Sequence, residues 1–520
     1  MRWAGAETVG SSAVPGNPRP RTVTPTRLAD LATLLPVVSP GEGAPDVAVA
    51  GVTHASDAVQ PGDLYAALPG ARRHGAEFVA AAAGAGAVAV LTDPAGAAAA
   101  ATAGLPALVV PDPRAVLGDV ASRIYGDPTA DLTVIGLTGT AGKTTTAYLV
   151  ESGLRADGRV TGLIGTVETR LADVTLDSAR TTPEATDLHA MLAFAREQGV
   201  RAVVMEVSSH ALAMGRVGGV RFDVGGWTNF GLDHLDFHAD VQDYFAAKAR
   251  LFDGRCRTEI LNLDEEALRR LIHAGTVTYS AVGDPAATWR AIDVAGSDTQ
   301  RFTAVGPGVS VPAGVGLPGR HNVANALLAI ASLVAIGVAP DVAAAGVARL
   351  AAVPGRMERL ATAGPVLGVV DYAHKPDSIV AVLAALRAVS AERGGRLICV
   401  IGAGGDRDRA KRPLMGKAAA AGADLVVVTD DNPRTEDPAA IRAEVLAGAR
   451  AVAGGAEVVE VPGRREAVDE AVRRAGPGDV IALLGKGHER GQEIGGQTFP
   501  FDDRDVLAAA LEAHVLGGAR

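Results

Sequence analysis

The feature that most constrains the fold is a strand–loop–helix pattern beginning at residue 132. The run Leu132-Thr133-Val134-Ile135-Gly136-Leu137 reads as a buried strand, and Thr138-Gly139-Thr140-Ala141-Gly142-Lys143-Thr144-Thr145-Thr146 follows, then a helical pattern. Backbone N–H groups of such a glycine-rich turn can cradle phosphates at a helix N-terminus. In that reading Lys143 reaches the terminal phosphates and the Thr144 hydroxyl holds Mg²⁺. One position departs from the usual pattern: Leu137 stands where a glycine is expected, with Gly136 and Gly139 flanking it. The alternative is a glycine-rich turn with an incidental lysine, but strand, loop, Gly-Lys-Thr and helix in that order favour phosphate.

The last third of the chain adds a second constraint. Apolar strands are expected at 366–370, 397–401, 425–429, 458–461 and 480–484, with helix-like stretches between them. That alternation indicates a parallel sheet covered by helices. Polar clusters follow four of the strands: Asp371-Tyr372-Ala373-His374, Gly404-Gly405-Asp406-Arg407, Asp430-Asp431-Asn432-Pro433-Arg434 and Gly485-Lys486-Gly487-His488-Glu489. Ligands of open α/β sheets bind beyond the carboxyl ends of the strands, so the four clusters predict one shared pocket.

Length and breaks set the domains. At about 100–200 residues each, 520 residues make two to four domains. Turn-rich breaks at Gly126-Asp127-Pro128 and Val353-Pro354-Gly355-Arg356 divide the chain, and residues 1–25, with scattered Arg and Pro, read as a disordered extension rather than a signal peptide. The expected layout is an extension and lead-in at 1–44, then domains at 45–130, 131–355 and 356–520. The longest apolar stretch, 326–339, is too short to cross a bilayer and fits a buried helix. A net charge of −10 argues against a general nucleic-acid or membrane-surface binder. Two cysteines, Cys256 and Cys399, leave no disulfide framework and no cysteine-based zinc site, so a reducing cytoplasm is the expected compartment.

Lysine is scarce: six residues, at 143, 248, 375, 411, 417 and 486, against 43 arginines. A retained lysine marks a place where an ammonium or primary amine is needed, as a weak guide. Glu206 near the end of an expected strand at 201–207 could reach a metal beside the phosphate loop, or simply be a solvated strand-end carboxylate. Asp233-His234-Leu235-Asp236-Phe237-His238 could ligate, or could be a polar loop capping a helix through Asp236 or Asp240. Lys248, in an amphipathic helical stretch at 244–252, reads on its own as a snorkelling surface lysine.

Taken in order, the segments 138–146, 206–210, 228–238, 244–252, 319–325, 371–377 and 431–434 resemble the Mur ligase family, over about residues 45–510. Asp431-Asn432-Pro433-Arg434 with Gly485-x-x-x-Glu489 is similar to the members that add diaminopimelate rather than lysine. The resemblance implies an α/β chain of three domains: an N-terminal UDP-binding domain, a central phosphate-loop ATPase with a parallel sheet, and a Rossmann-like C-terminal domain for the incoming amino acid. It implies a uridine contact at Ser56 and muramoyl-dipeptide contacts at Thr181, Thr182, Ser208 and Arg216. Nucleotide contacts are implied at Gly139, Thr140, Ala141, Gly142, Lys143, Thr144, Thr145, Asn322, Arg356 and Asp371. Lys248 is implied to be an N6-carboxylysine, its CO₂-derived carbamate joining Glu206 and His234 at a second Mg²⁺. That has a physical reason: an ammonium repels Mg²⁺, whereas a carbamate offers the anionic oxygens it prefers.

The implied activity is ATP-dependent joining of diaminopimelate to UDP-N-acetylmuramoyl-L-alanyl-D-glutamate through an acyl phosphate, by a cytoplasmic monomer. The meso isomer is favoured and the LL isomer stays open. Arg434 is the natural discriminator, because a guanidinium fork matches the distal carboxylate that lysine lacks, with Asn432 assisting. Arg407, Asp431, Pro433, Gly485 and Glu489 complete the implied amino-acid site. The base for the attacking amine is open between His210 and His374. Alternatives are a ligase adding L-lysine or another amino acid, a folylpolyglutamate-synthetase-like ligase, and a nucleotide-binding regulator without ligase activity.

Overall fold

The computed structural model describes residues 17–37, 39–40, 47–361 and 364–518. Of the expected disordered extension, residues 1–16 lie outside the described residues. From residue 17 the expectation is corrected: Arg19 pairs with Asp63 at 2.7 Å, and the Arg21 N–H donates to Glu197 at 2.9 Å. Leu28 and Leu31 of the short helix Leu28–Ala32 are buried. In sequence Arg19 looks like part of a tail because its partner lies 44 residues further on.

Two compact units form, each assembled from separate stretches of chain. The first comprises Met1–Thr138, Gly158–Gly225 and Ala247–Glu259. Its five-stranded sheet runs Ser39–Pro40, Ala107–Val109, Ala89–Thr92, Asp63–Ala67, Gly51–Thr53, parallel except at the Ser39–Pro40 edge. The helix Pro113–Ile124 begins with a proline at its first position and with Asp112 accepting from the N–H groups of Arg114 and Ala115, which satisfies donors that a helix start leaves orphaned. It buries Leu117, Val120, Ala121 and Ile124 in the core of this part. Thr133–Thr138 pairs in parallel with Ala202–Glu206, which pairs in parallel with Thr161–Ile164. The register sets Glu206 opposite Leu137, level with the end of the strand that feeds the glycine-rich loop.

The second unit comprises Gly139–Asp157, Gly226–Ala246 and Ile260–Arg520. Lys143–Ala156 packs against Arg320–Ala335 and Pro340–Ala348. The buried helix expected at 326–339 therefore starts earlier and ends earlier, because Gly337 takes a left-handed φ of 86° and Pro340 opens a new helix. The antiparallel strands Trp289–Ala295, Gln300–Gly306 and Val309–Val315 follow one another.

The C-terminal sheet of this unit has the order Glu358–Arg359, Leu367–Asp371, Val480–Leu484, Leu397–Ile401, Leu425–Val428, Glu457–Glu460. All neighbours are parallel except the short edge strand. Its strands are continuous apolar runs because both faces are covered: Leu397, Cys399 and Ile401 enter one core, Ile398 and Val400 the other. The last strand, Val480–Leu484, inserts between Leu367–Asp371 and Leu397–Ile401, so Gly485–Glu489 emerges among the other polar clusters. Cys256 and Cys399 are buried and free. Among the described residues no helix is long and apolar enough to cross a membrane.

Candidate active site

The glycine-rich loop is shaped by backbone that side chains would obstruct. Gly142 has φ 83°, and a Cβ there would lie 2.5 Å from Asn325 Oδ1. Gly139 has φ 140°, and its Cβ would lie 1.9 Å from Thr228 Oγ1. Thr228 Oγ1 donates to the Ala141 carbonyl at 2.6 Å, and the Ala141 N–H donates to Asn229 Oδ1 at 2.9 Å. Lys143 folds back over the loop, donating to the Gly139 carbonyl at 2.7 Å. Thr140 Oγ1 lies 3.0 Å from the Tyr244 hydroxyl, and Phe230 stacks on the Tyr244 ring. Thr144 and Thr145 are buried in the first helical turn.

Expected nucleotide residues gather at this loop. Arg356 Nη2 donates to Thr144 Oγ1 at 3.3 Å, and its guanidinium lies 4.4 Å over the Tyr372 ring. Asn322 is buried, donates to the Pro318 carbonyl and accepts from Asn325 Nδ2; Asn325 in turn accepts from Thr146 Oγ1. Asp371 accepts the N–H groups of Met357 and Ala373, both at 2.7 Å, and burial pushes its carboxyl up while the Arg356 charge opposes that. His374 holds Nδ1 at 2.7 Å from the Tyr372 carbonyl, and burial drives its pKa down to about 3.

In the same unit, His234 Nε2 lies 3.0 Å from Asp233 Oδ2, and Lys375 Nζ lies 2.5 Å from that oxygen. Burial disfavours the charged imidazolium of His234, with Asp233 working against that. Asp240, one of the two expected caps, accepts from the N–H groups of Gln242 and Asp243, both at 2.8 Å, at the start of Val241–Ala249.

The first unit holds the remaining expected central residues. Both oxygens of buried Glu206 are fixed by Thr166, whose N–H donates to Oε1 at 2.7 Å and whose Oγ1 donates to Oε2 at 3.0 Å. Thr181 Oγ1 lies 3.1 Å from Thr166 Oγ1. Thr182 donates to the Glu206 carbonyl at 2.9 Å and accepts from the Ser208 N–H at 3.1 Å. Arg216 donates to the Thr182 carbonyl at 3.3 Å and pairs with buried Glu184 at 2.8 Å. Arg180 and Arg114 also face Glu184, so cationic charge exceeds anionic there. Ser56 is half-buried in the loop after Gly51–Thr53, and among the described residues no hydrogen bond ties it to this group. Lys248 is 1% exposed, which corrects the surface reading that its helical pattern alone suggests. Among the described residues no three His, Cys, Asp or Glu side chains gather as a metal site. In this unit the Glu206 carboxylate offers oxygen donors of the kind that suit a hard cation such as Mg²⁺.

The C-terminal cluster is the most tightly cross-linked. Asn432 Nδ2 donates to Glu489 Oε2 at 2.8 Å, while its Oδ1 accepts from Lys486 Nζ and the Glu493 N–H, both at 3.0 Å. Two donors on that oxygen fix the amide orientation. Lys486 is fully buried and also reaches Glu489 Oε2 at 3.1 Å. A Cβ on Gly485 would lie 2.5 Å from Asp431 Oδ2, so glycine lets the two motifs meet. The Pro433 carbonyl accepts the Glu436 N–H at 3.1 Å, the Asn432 carbonyl accepts the Gly405 N–H at 2.9 Å, and a Cβ on Gly405 would lie 1.9 Å from the Pro433 oxygen.

Arg434 takes a left-handed φ of 54° and is held on its backbone by the segment that follows the motif: its N–H donates to the Glu493 carbonyl at 3.0 Å, and the Gly495 N–H donates to its carbonyl at 2.7 Å. Its Nε lies 3.0 Å from Glu493 Oε2, and Nη1 donates to the Gly405 carbonyl at 2.7 Å. Arg407 is exposed, its side chain bonded to the neighbouring Asp406 carbonyl. The sequence reading assigned no role to Glu493 and none of their own to Lys486 and Lys375, although lysine scarcity pointed at those two; Asp233 stood there only as one of several candidate ligands in a polar loop.

Comparison with known proteins agrees with this arrangement. Residues 48–125 match the family description "Mur ligase family, catalytic domain", 137–333 the "Mur ligase middle domain" and 355–487 the "Mur ligase, glutamate ligase domain". The chain is 54% identical over 506 residues to a UDP-N-acetylmuramoyl-L-alanyl-D-glutamate–2,6-diaminopimelate ligase of Streptomyces coelicolor, covering 96% of this chain and 99% of that one. It is 46% identical over 488 residues to the ligase of that name from Corynebacterium glutamicum, covering 91% and 93%. A solved structure of a ligase of that name superposes with a TM-score of 0.65 at 32% identity, covering 90% of this chain and 96% of that one. With three matched domains and relatives alike over nearly the whole length, the chain belongs to the Mur ligase family.

Proposed function

We propose that this chain is an ATP-dependent ligase that joins diaminopimelate to UDP-N-acetylmuramoyl-L-alanyl-D-glutamate in cytoplasmic peptidoglycan precursor synthesis. The observation that carries this reading is the Asp431–Arg434 turn, where Asn432 is cross-linked to Lys486 and Glu489 and the neighbouring Arg434 guanidinium lies beside the Glu493 carboxylate. A zwitterion with a second carboxylate is the ligand that such a pair suits. The identity to relatives named for diaminopimelate supports it. The domain limits we assign are 45–130 for the UDP substrate, 131–355 for ATP and 356–520 for the amino acid, in a protein that acts as a monomer.

A carboxylate is a poor electrophile at neutral pH. The γ-phosphoryl of ATP passes to an oxygen of the D-Glu side-chain carboxylate: the bond to ADP breaks, ADP keeps the electron pair, and an acyl phosphate forms. The neutral amine of diaminopimelate then attacks the acyl carbon. A C–N bond forms, phosphate leaves with the C–O electron pair, and the amine gives up its proton. The first step needs positioning and charge neutralisation more than side-chain acid–base chemistry. Lys143 and the loop 139–142 hold the phosphates, with Thr145, Asn322, Arg356 and Asp371 ordering the nucleotide end.

Bound Mg²⁺ would neutralise phosphate charge and orient oxygens. Thr144 would hold one ion, and Glu206, His234 and Lys248 as N6-carboxylysine a second. Thr181, Thr182, Ser208 and Arg216 position the dipeptide, and Ser56 the uridine. Asn432 and Arg434 take the distal carboxyl end of diaminopimelate, Arg407 the other carboxylate and Glu489 the ammonium. Meso-diaminopimelate is the favoured isomer. His374 is poorly matched as base for the amine, because a pKa near 3 gives little driving force for taking an ammonium-like proton.

The test is ADP release with product mass. Release should require the UDP-dipeptide and diaminopimelate together, and the product should gain one diaminopimelate residue. ATP turnover independent of either substrate would overturn the reading.

A further inference from the structure

Two of the six lysines converge on one atom of the phosphate loop. The Thr140 carbonyl oxygen accepts from Lys143 Nζ at 3.4 Å and from Lys375 Nζ at 3.2 Å. Lys143 belongs to the loop's own helix. Lys375 arrives from the stretch matched by the glutamate ligase domain, 235 residues away in sequence, immediately before the helix Pro376–Glu392. Its side chain is 13% exposed and is drawn inward to Asp233, 2.5 Å away.

Two ammonium groups that share a carbonyl repel each other and gain little from a neutral acceptor. Asp233 offsets one of the two charges here. A nucleotide triphosphate brings several negative charges to the same loop, and the charge on the transferring phosphoryl is spread over its outer oxygens. A second cation beside the loop lysine is placed where it could meet that charge. Residues 143 and 375 come from different family domains, so this cation arrives only with the C-terminal one.

We propose that Lys375 is a second phosphate-contacting catalytic residue, released from Asp233 to the transferring phosphoryl group when ATP is bound. The proposal rests on the ligase reading above. It makes phosphoryl transfer depend on a residue carried by the amino-acid-binding part of the chain. Lys375 makes and breaks no covalent bond; it stabilises charge as the phosphoryl leaves ADP for the carboxylate oxygen.

The test is equilibrium binding of ADP–Mg²⁺, with and without aluminium fluoride, to the wild-type protein and to Lys375→Met and Lys375→Arg. Aluminium fluoride with ADP mimics the phosphoryl in transit. Lys375→Met should weaken binding of the ADP–aluminium fluoride complex by on the order of 10²-fold, the size typical of losing one charge-stabilising donor, while ADP alone shifts less than about threefold. Its kcat should fall by a similar factor with little change in KM for ATP, and Lys375→Arg should recover part of both. Equal weakening of ADP and of its fluoride complex would mark Lys375 as a structural tether and overturn the proposal, as would no weakening of either. If Lys375→Met does not fold, the same comparison on Lys375→Arg decides: a loss confined to the fluoride complex supports the proposal, and a uniform loss or none overturns it. Binding is read without turnover, so wild-type protein lacking diaminopimelate-dependent ADP release would defeat the ligase reading alone.

Discussion

Arg434→Ala separates recognition of the amino acid from everything else the protein does. The backbone at this position is held by bonds to residues 493 and 495 that need no side chain. Alanine carries the same Cβ, so the cost of the left-handed φ of 54° is unchanged and the fold should persist. What disappears is a guanidinium anchored on Glu493 and the Gly405 carbonyl. Truncating one partner of a buried charge pair costs about 2–5 kcal/mol. The Arg434 side chain is 20% exposed and that of Glu493 42% exposed, so water rescues part of the loss and the lower end applies. About 2–3 kcal/mol corresponds to roughly 30–150-fold in kcat/KM for diaminopimelate. Steady-state kinetics with diaminopimelate varied, beside ADP affinity by calorimetry, measures both terms. ADP affinity should be unchanged. Unaltered diaminopimelate kinetics, or an equal fall in nucleotide binding, would refute the role given to Arg434.

Other outcomes follow from the same geometry. Lys248→Ala should be nearly inactive and regain part of its activity with added short carboxylates; full activity without them would remove the carbamate. Gly142→Ala should lose ATP binding, since its Cβ would lie 2.5 Å from Asn325 Oδ1 at a φ of 83°, and wild-type affinity by calorimetry would contradict this. His189 is fully buried, with Nε2 2.8 Å from the Gly218 carbonyl and a pKa lowered by desolvation from 6.5 to about 4. The unfolded chain therefore binds the extra proton between those values, and stability falls as pH drops from about 6.5 towards 4. Moving from about pH 7 to 5 should cost about 2 kcal/mol through this residue. Urea denaturation at both values should show a smaller loss in His189→Gln; equal losses would argue against the assignment.

The sequence was most legible where chemistry is local. The strand and helix around the glycine-rich loop could be read because a strand, a turn and a helix start are contiguous, and they form at Thr133–Thr138 and Lys143–Ala156. The C-terminal strands could be read because burial on both faces makes them continuous apolar runs. Less legible were residues whose role depends on a distant partner. Glu493 looks like an ordinary polar strand residue until Gly491–Ile494 lies beside Arg434. Asp233 reads as part of a polar loop, and only the fold brings Lys375 to it. Lys248 shows the opposite failure: its helical pattern suggests a surface, yet it is 1% exposed. Periodicity reports which face of a helix is apolar, and it is silent on a polar side chain buried for function.

The central claim is selectivity for an amino acid with a second carboxylate. It is tested most directly by one competition: UDP-N-acetylmuramoyl-L-alanyl-D-glutamate and ATP, with meso-diaminopimelate and L-lysine present together at equal concentration, and the products resolved by mass. The account predicts diaminopimelate product in excess over lysine product by at least about 30-fold, the factor that one carboxylate–guanidinium pair supplies. Comparable amounts of the two products would contradict it.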